Sequence, residues 1–166
     1  DVYGNTILEF LHGDIDITGD EIYIYQEFNP NTTDWIVNRP KRRFVTGTAN
    51  GTPLKESRFY YDNGSLNTPP TKGNLTREER ILNNGPNMVT TYTYDAFGNP
   101  ASVTDPRTNM TFMEYDPQFN TFPIRVRNPK NQIIQRTYNP INGEVLSETD
   151  PNGYTTTYVY DVFQFL

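Results

Sequence analysis

The side chains of this sequence able to do chemistry fall into four sets: one histidine, a knot of acids, a short basic run, and Asp and Tyr residues that recur at fixed spacing. His12 is the sole histidine, so a Ser–His–Asp relay would rest entirely on it. It lies between Phe10-Leu11 and Gly13, the setting of a strand end. Asp14, Asp16, Thr18, Gly19 and Asp20 imitate a calcium loop. The EF-hand pattern needs Glu at its twelfth position, which counted from Asp14 is Tyr25, and no helical pattern flanks the segment. The alternation with Ile15 and Ile17 predicts instead a strand whose carboxylates face water, turning through Thr18-Gly19-Asp20 into a second strand over residues 21–25. Lys41-Arg42-Arg43 follows Pro40 and precedes Phe44-Val45, which reads as a solvated strand end and not a phosphate site.

The recurring residues dominate. Asp105-Pro106 leads to Tyr115-Asp116, Asn128-Pro129 to Tyr138-Asn139, and Asp150-Pro151 to Tyr160-Asp161. In each case the residue after Tyr lies eleven positions beyond the turn residue. A fixed period marks stacked units, each too small to bury its own apolar face. A carboxylate at the first position of a type I turn caps nearby backbone N–H groups, which accounts for Asp105 and Asp150 without a ligand. Tyr94, Tyr115, Tyr138 and Tyr160 admit two readings, a sugar-stacking platform or an aromatic ladder packing one hairpin on the next. The constant spacing favours the ladder.

The elements that position these residues are predicted to be strands throughout. Of 166 residues, 22 are Tyr or Phe, against a hydrophobic share of 34%, which suits thin β layers rather than a thick aliphatic core. The 11 Gly and 13 Pro imply many short elements. Asp150-Pro151-Asn152-Gly153 fits a type I turn between strands over residues 144–149 and 154–160. The same hairpin recurs over 101–115, and over 121–138, where Pro123 weakens the strand it falls in. Phe97-Gly98-Asn99, Asp116-Pro117 and Asn139-Pro140-Ile141-Asn142-Gly143 punctuate the connections. In the N-terminal half, strands over 43–46 and 56–61 flank Asn50-Gly51. Residues 63–73 read as a polar loop, and 75–82 fit either a strand or one or two helical turns. The expected division is a divergent hairpin region over 1–71 and a repeat region over 72–166.

Several function classes are excluded or disfavoured. A net charge of −6 with acids and bases interspersed repels a duplex or an anionic membrane, so nucleic acid is not an expected partner. No run of about 18 apolar residues is present, so no helical membrane span is expected. The absence of Cys removes thiolate nucleophiles, disulfides and thiolate metal sites. No Gly-rich phosphate loop or His-based metal triad is present, and neither cofactor nor metal is expected. Asn31, Asn50, Asn63, Asn74 and Asn109 each begin an N-x-S/T triplet, which matters only in a eukaryotic secretory setting.

Tyr94-Asp95-Ala96-Phe97-Gly98-Asn99, Val103-Thr104-Asp105-Pro106 and Asp150-Pro151-Asn152-Gly153, closing on Tyr158-Val159-Tyr160-Asp161, resemble YD repeats. These occur in bacterial Rhs proteins, wall-associated proteins, toxin-complex B and C components and teneurins. Lys72-Gly73-Asn74-Leu75-Thr76-Arg77 followed by Thr91-Tyr92-Thr93-Tyr94-Asp95 is similar to the lead-in of the Rhs and toxin-complex group, and Tyr60-Tyr61-Asp62 reads as an earlier, divergent copy. Asn139 in place of Asp, and Pro117-Gln118-Phe119-Asn120 without Gly, depart from the pattern. So does Gln164-Phe165, where Gly-Arg is expected. The resemblance implies an all-β ribbon of consecutive antiparallel hairpins, coiling as a slice of a shell wall. It implies a non-catalytic scaffold in a secreted or bacterial surface protein. The expected partners are the remaining repeats and an enclosed effector polypeptide, with a glycan as the alternative ligand. The open ends of such a slice, with Phe163, Phe165 and Leu166 as an apolar tail, predict self-association.

Overall fold

A computed structural model describes residues 1–82 and 85–161 of the chain. Its regular elements are all strands: β1 (Leu8–Leu11), β2 (Ile22–Phe28), β3 (Pro40–Thr46), β4 (Lys55–Tyr61), β5 (Leu75–Ile81), β6 (Met88–Tyr94), β7 (Pro100–Thr104), β8 (Met110–Tyr115), β9 (Pro123–Arg127), β10 (Ile133–Tyr138), β11 (Val145–Thr149) and β12 (Thr155–Thr157). Strand order in the sheet follows chain order, with antiparallel neighbours, so the all-β hairpin ribbon expected from the repeats is the fold. Among the described residues no helix is long and apolar enough to cross a membrane. The chain divides into two compact units, Asp1–Thr91 and Tyr92–Leu166.

Local chemistry explains where the strands begin. Pro40, Pro100 and Pro123 each open a strand, a position in a sheet where a missing N–H costs no internal ladder bond. Pro123 therefore starts β9 rather than interrupting it. Leu75–Ile81 is a strand, because its residues pair with β4 on one side and β6 on the other.

Two expectations do not hold. Residues 14–17 form no strand; the partner of β2 is Leu8–Leu11, and residues 12–20 are an irregular connection. The carboxylates are exposed, as expected, and two of them also accept from loop backbone. Asp20 Oδ2 accepts from Asp14 N at 2.7 Å, and Asp14 Oδ1 accepts from Asp16 N at 3.1 Å. Such side-chain acceptors offer the backbone an alternative to a ladder. The last strand is also shorter than residues 154–160, spanning only Thr155–Thr157. Its partner β11 is itself five residues long, and pairing ends at Ser147↔Thr157. The tail residues Phe163, Gln164, Phe165 and Leu166 lie outside the described residues.

Among the described residues no Val, Leu, Ile, Met, Phe, Tyr or Trp is buried; the buried polar side chains are Thr46, Glu56, Glu79 and Ser102. Cohesion within the N-terminal unit comes from cross-strand pairs on one face. Register sets Glu27 opposite Arg42, Arg42 opposite Arg58 and Arg58 opposite Glu79, with Glu56 and Arg77 two residues along from Arg58 and Glu79. Arg42 reaches Glu27 at 2.9 Å and Glu56 at 2.8 Å, while Arg58 reaches Glu56 at 2.7 Å. The Arg42 hydrogen bond lowers the Glu56 carboxyl below its usual range, against the opposing pull of burial. Arg42 also lies over Phe44 at 4.2 Å and Arg77 over Tyr60 at 4.3 Å. These stacked guanidinium stems cover aromatic faces, a way to shield apolar surface without a second layer.

Candidate functional site

The repeated Asx and Tyr residues converge on the backbone. Asp105 Oδ1 accepts from Arg107 N at 2.8 Å and Asn109 N at 2.9 Å. Asn128 Oδ1 accepts from Lys130 N at 2.9 Å and Gln132 N at 3.0 Å. Asp150 Oδ1 accepts from Asn152 N at 2.8 Å and Tyr154 N at 2.9 Å. Each turn closes with an i+3 N–H on the Asx carbonyl and an Asx N–H on the i+4 carbonyl. Pro106, Pro129 and Pro151 follow the Asx residue, where a fixed φ suits a type I turn. Thr108, Asn131 and Gly153 hold the left-handed position that ends a three-residue hairpin loop.

The Asp of Tyr-Asp belongs to the same device at the other end of the hairpins. Asp95 Oδ1 accepts from Phe97 N and Asn99 N, both at 2.9 Å, with Gly98 left-handed. Longer loops keep the Asx and insert residues. Asn139 accepts from Ile141 N at 3.0 Å and closes on Gly143. Asp116 takes Phe119 N on Oδ2 at 2.6 Å, and Thr121 N and Phe122 N on Oδ1 at 2.9 and 2.8 Å. Desolvation would raise the Asp116 carboxyl, but backbone N–H groups from Phe122, Thr121, Phe119 and Asn120 outweigh it and lower it to about 2. Tyr160 and Asp161 are the last described residues of the chain.

The tyrosines act across the hairpin. Tyr115 donates its hydroxyl to Pro100 O at 3.1 Å, Tyr138 to Pro123 O at 3.1 Å, and Tyr160 to Val145 O at 2.9 Å. Each ends the return segment of a hairpin and clasps the first residue of the outgoing strand. A β-bulge then sets the next step. Register shifts just before Tyr115 and Tyr138, which pair with Pro123 and Val145, the first residues of the following strands. Those residues carry the carbonyls that accept the next tyrosine. Tyr94 ends β6 directly before Asp95.

Of three further participants, Tyr61 and Asp62 belong to the phrase read from sequence as an earlier, divergent copy, and Asp1 was not singled out from sequence. Tyr61 donates to Pro40 O at 2.9 Å, and Asp62 accepts from Thr71, Lys72 and Gly73 N on Oδ2 and from Asn74 N on Oδ1. Asp1 accepts from Tyr3 N and Asn5 N, both at 2.9 Å. Asp1-Val2-Tyr3-Gly4-Asn5 against Asp95-Ala96-Phe97-Gly98-Asn99 is the signal that could have found it. Asparagine amides also join successive turns. Asn5 Nδ2 donates to Val37 O at 2.8 Å, and Asn99 Nδ2 to Asn120 O at 2.6 Å.

The C-terminal unit also carries a groove of about 590 Å³, lined by Phe119, Phe122, Arg125, Gln135, Thr137 and Tyr138 among others. Phe122 and Tyr138 stack at 5.1 Å, so Tyr138 serves both the clasp and the groove wall. Arg125 Nε is buried without a partner among the described residues, while Nη1 reaches Glu114 at 3.2 Å. Hydroxyl pairs Thr137–Ser147 at 2.7 Å and Thr149–Thr155 at 2.8 Å continue the polar face. Asp14, Asp16 and Asp20 do not assemble into a metal-type cluster, and no such group occurs among the described residues.

Residues 71–110 and 142–166 match the family model of the RHS repeat. No curated protein sequence matches the chain. A crystal structure of TcdB2–TccC3 aligns with 97% of this chain at 12% identity and a TM-score of 0.28. The chain spans 11% of the length of that chain.

Proposed function

We propose that this chain, an Rhs/YD-repeat fragment, is a non-catalytic β-scaffold: a slice of the wall of a large secreted or bacterial surface protein that holds or delivers a C-terminal effector. The observation that carries the reading is the fate of the repeated Asp and Tyr side chains. Seven Asx or Tyr groups that could have served a reaction or a ligand, Asp95, Asp105, Asp116, Asp150, Tyr115, Tyr138 and Tyr160, engage the chain's own backbone. A residue that closes a turn or clasps a hairpin has a structural use for its polar group where it stands. The same list, with Asn128, Asn139, the turn prolines and Gly98, Gly143 and Gly153, is the repeat motif of the wall.

A second reading, a glycan-binding surface module, is favoured by the groove beside Tyr138, where an aromatic stack adjoins amides and hydroxyls. Tyr138→Ala separates the two. As a scaffold residue, its loss lowers the urea midpoint of the folded chain. A variant with wild-type stability that no longer binds a glycan array retained by the parent chain would overturn the scaffold reading in favour of the module.

A further inference from the structure

Trp35, the sole tryptophan of the sequence, is called for neither by the turn that holds it nor by burial, and we propose that with Tyr3 it forms the platform of a binding site for a neutral oligosaccharide. The inference stands apart from the scaffold reading and from the groove beside Tyr138, which lies in the other compact unit. Trp35 has φ 56°, a left-handed conformation that bulky side chains rarely adopt. Among the described residues, the other non-glycine residues with positive φ are Asn50, Asp62, Asn63, Thr108, Asn120 and Asn131. Asx side chains suit such positions, and an indole does not. Trp35 is also 70% exposed, so packing does not offset the strain. Strain of that kind points to a functional constraint.

The loop presents the indole on a fixed frame. Asn31 N donates to Ile36 O at 3.0 Å and Ile36 N to Asn31 O at 2.9 Å. Within the loop Asn31 Oδ1 accepts from Thr33 N and Asp34 N, both at 3.0 Å. Asn31 Nδ2 donates to Asp34 Oδ2 and to Pro70 O, both at 2.8 Å, which ties the loop to a distant segment. Asn5 Nδ2 donates to Val37 O at 2.8 Å and so holds the turn that carries Tyr3. The Tyr3 and Trp35 rings meet at 89° with centroids 6.2 Å apart, a corner of two aromatic walls. Tyr3 also lines a cleft of about 550 Å³ with Tyr25, Phe28, Phe44, Glu27 and Lys41, so a chain-like ligand resting on Trp35 has room to continue past Tyr3. The rim selects the ligand class. Thr32, Thr33, Asp34 and Asn38 flank Trp35 and are exposed, whereas Ile36 and Val37 are half-buried. One aromatic face set among hydroxyl, carboxylate and amide groups matches a pyranose, whose C–H face is apolar and whose edge carries hydroxyls. A protein partner calls for a wider, dry apolar core. A net charge of −6 disfavours acidic sugars.

Trp35 is its own reporter, because no other indole contributes to the emission. Chitotetraose and cellotetraose, both neutral β-linked pyranose chains, are titrated into the full chain, and at least one is expected to shift or quench the emission saturably. Saturation-transfer NMR with the same sugars then compares variants. Trp35→Asn is expected to weaken binding by about tenfold or more while its urea midpoint stays level or rises, since Asn accepts the left-handed turn. Trp35→Tyr keeps a ring and is expected to retain most of the binding that Trp35→Asn loses, and Tyr138→Ala to retain it in full wherever the chain stays folded. No saturable change with either sugar would overturn the proposal. Undiminished binding by Trp35→Asn would do the same, as would a fall in its urea midpoint, which would make Trp35 a packing residue. A loss in stable Trp35→Tyr equal to that in Trp35→Asn would remove the stacking platform. An emission change that follows protein concentration and not sugar would assign the surface to a second copy of the chain and overturn the saccharide. None of these results bears on the scaffold reading, which is tested by the stability of Tyr138→Ala.

Discussion

Replacing Asp62 by Ala tests the turn device where it holds its longest loop. Asp62 Oδ2 accepts from Thr71, Lys72 and Gly73 N at 2.7, 2.9 and 3.0 Å, and Oδ1 from Asn74 N at 3.0 Å. The ladder bond from Asp62 N to Asn74 O, 2.8 Å, begins where that cradle ends. The Thr71 and Lys72 bonds are exposed, so those amides regain water in the variant, whereas the Gly73 and Asn74 bonds are half-buried. A net bond to a charged acceptor is worth about 1.5–3 kcal/mol, and a lost cap about 0.5–2, so two effective bonds that are not additive give about 2–4 kcal/mol. Asp62 also sits at φ 54°, where Ala is strained. Asp62→Gly loses the same oxygens without that strain and is expected to fall short of the Ala effect by about 1 kcal/mol. Urea melts read both: with a slope of about 1–3 kcal/mol per molar, the Ala midpoint drops by about 1 M or more.

Acid adds a second dimension to the same site. Burial alone would raise the Asp62 carboxyl, but the N–H groups of Lys72, Gly73, Thr71 and Asn74 bring it below 3.8. A carboxyl lowered by folding stabilises fully above its unfolded value and loses that contribution as pH falls through its folded value. The advantage of the parent chain over Asp62→Asn is therefore expected to shrink as pH drops below about 4. An Ala variant with an unchanged midpoint and unchanged exchange at Thr71–Asn74 would refute the reasoning.

Asp150→Ala is expected to destabilise the chain by about 0.5–2 kcal/mol through loss of its two turn bonds, read from denaturant midpoints. Asn99→Ala removes the amide bridge to Asn120 O and is expected to cost about 0.5–1.5 kcal/mol, with faster exchange at Phe122 N as its local mark. The Asp116 carboxyl is expected to titrate at about 2 by carbon-detected NMR. Its turn contribution is then complete above the ordinary carboxylate value and lost only as pH falls towards 2; titration near 3.8 would refute the backbone cradle.

Sequence alone carried the strand-rich class, the recurring turns and the tyrosines that end the hairpins. These are local facts. An Asx oxygen reaches N–H groups two and four residues on, so Asp105-Pro106 or Asp150-Pro151-Asn152-Gly153 contains both donor and acceptor within one short phrase. The acceptors of the tyrosines were not legible, because Tyr138 and Pro123 are fifteen residues apart and meet only through the pairing of β9 with β10. Residues 14–17 show the same limit from the other side. Their alternation is that of a strand, but Asp20 and Asp14 bind loop backbone, and the less patterned Leu8–Leu11 takes the place beside β2. The Arg42, Glu56 and Arg58 network spans β3 and β4, and the buried Glu56 carboxylate meets Arg42 only through the pairing of those two strands. Short-range hydrogen bonding is written in neighbouring residues; pairing partners, register and burial depend on distant segments, and tertiary structure decided them.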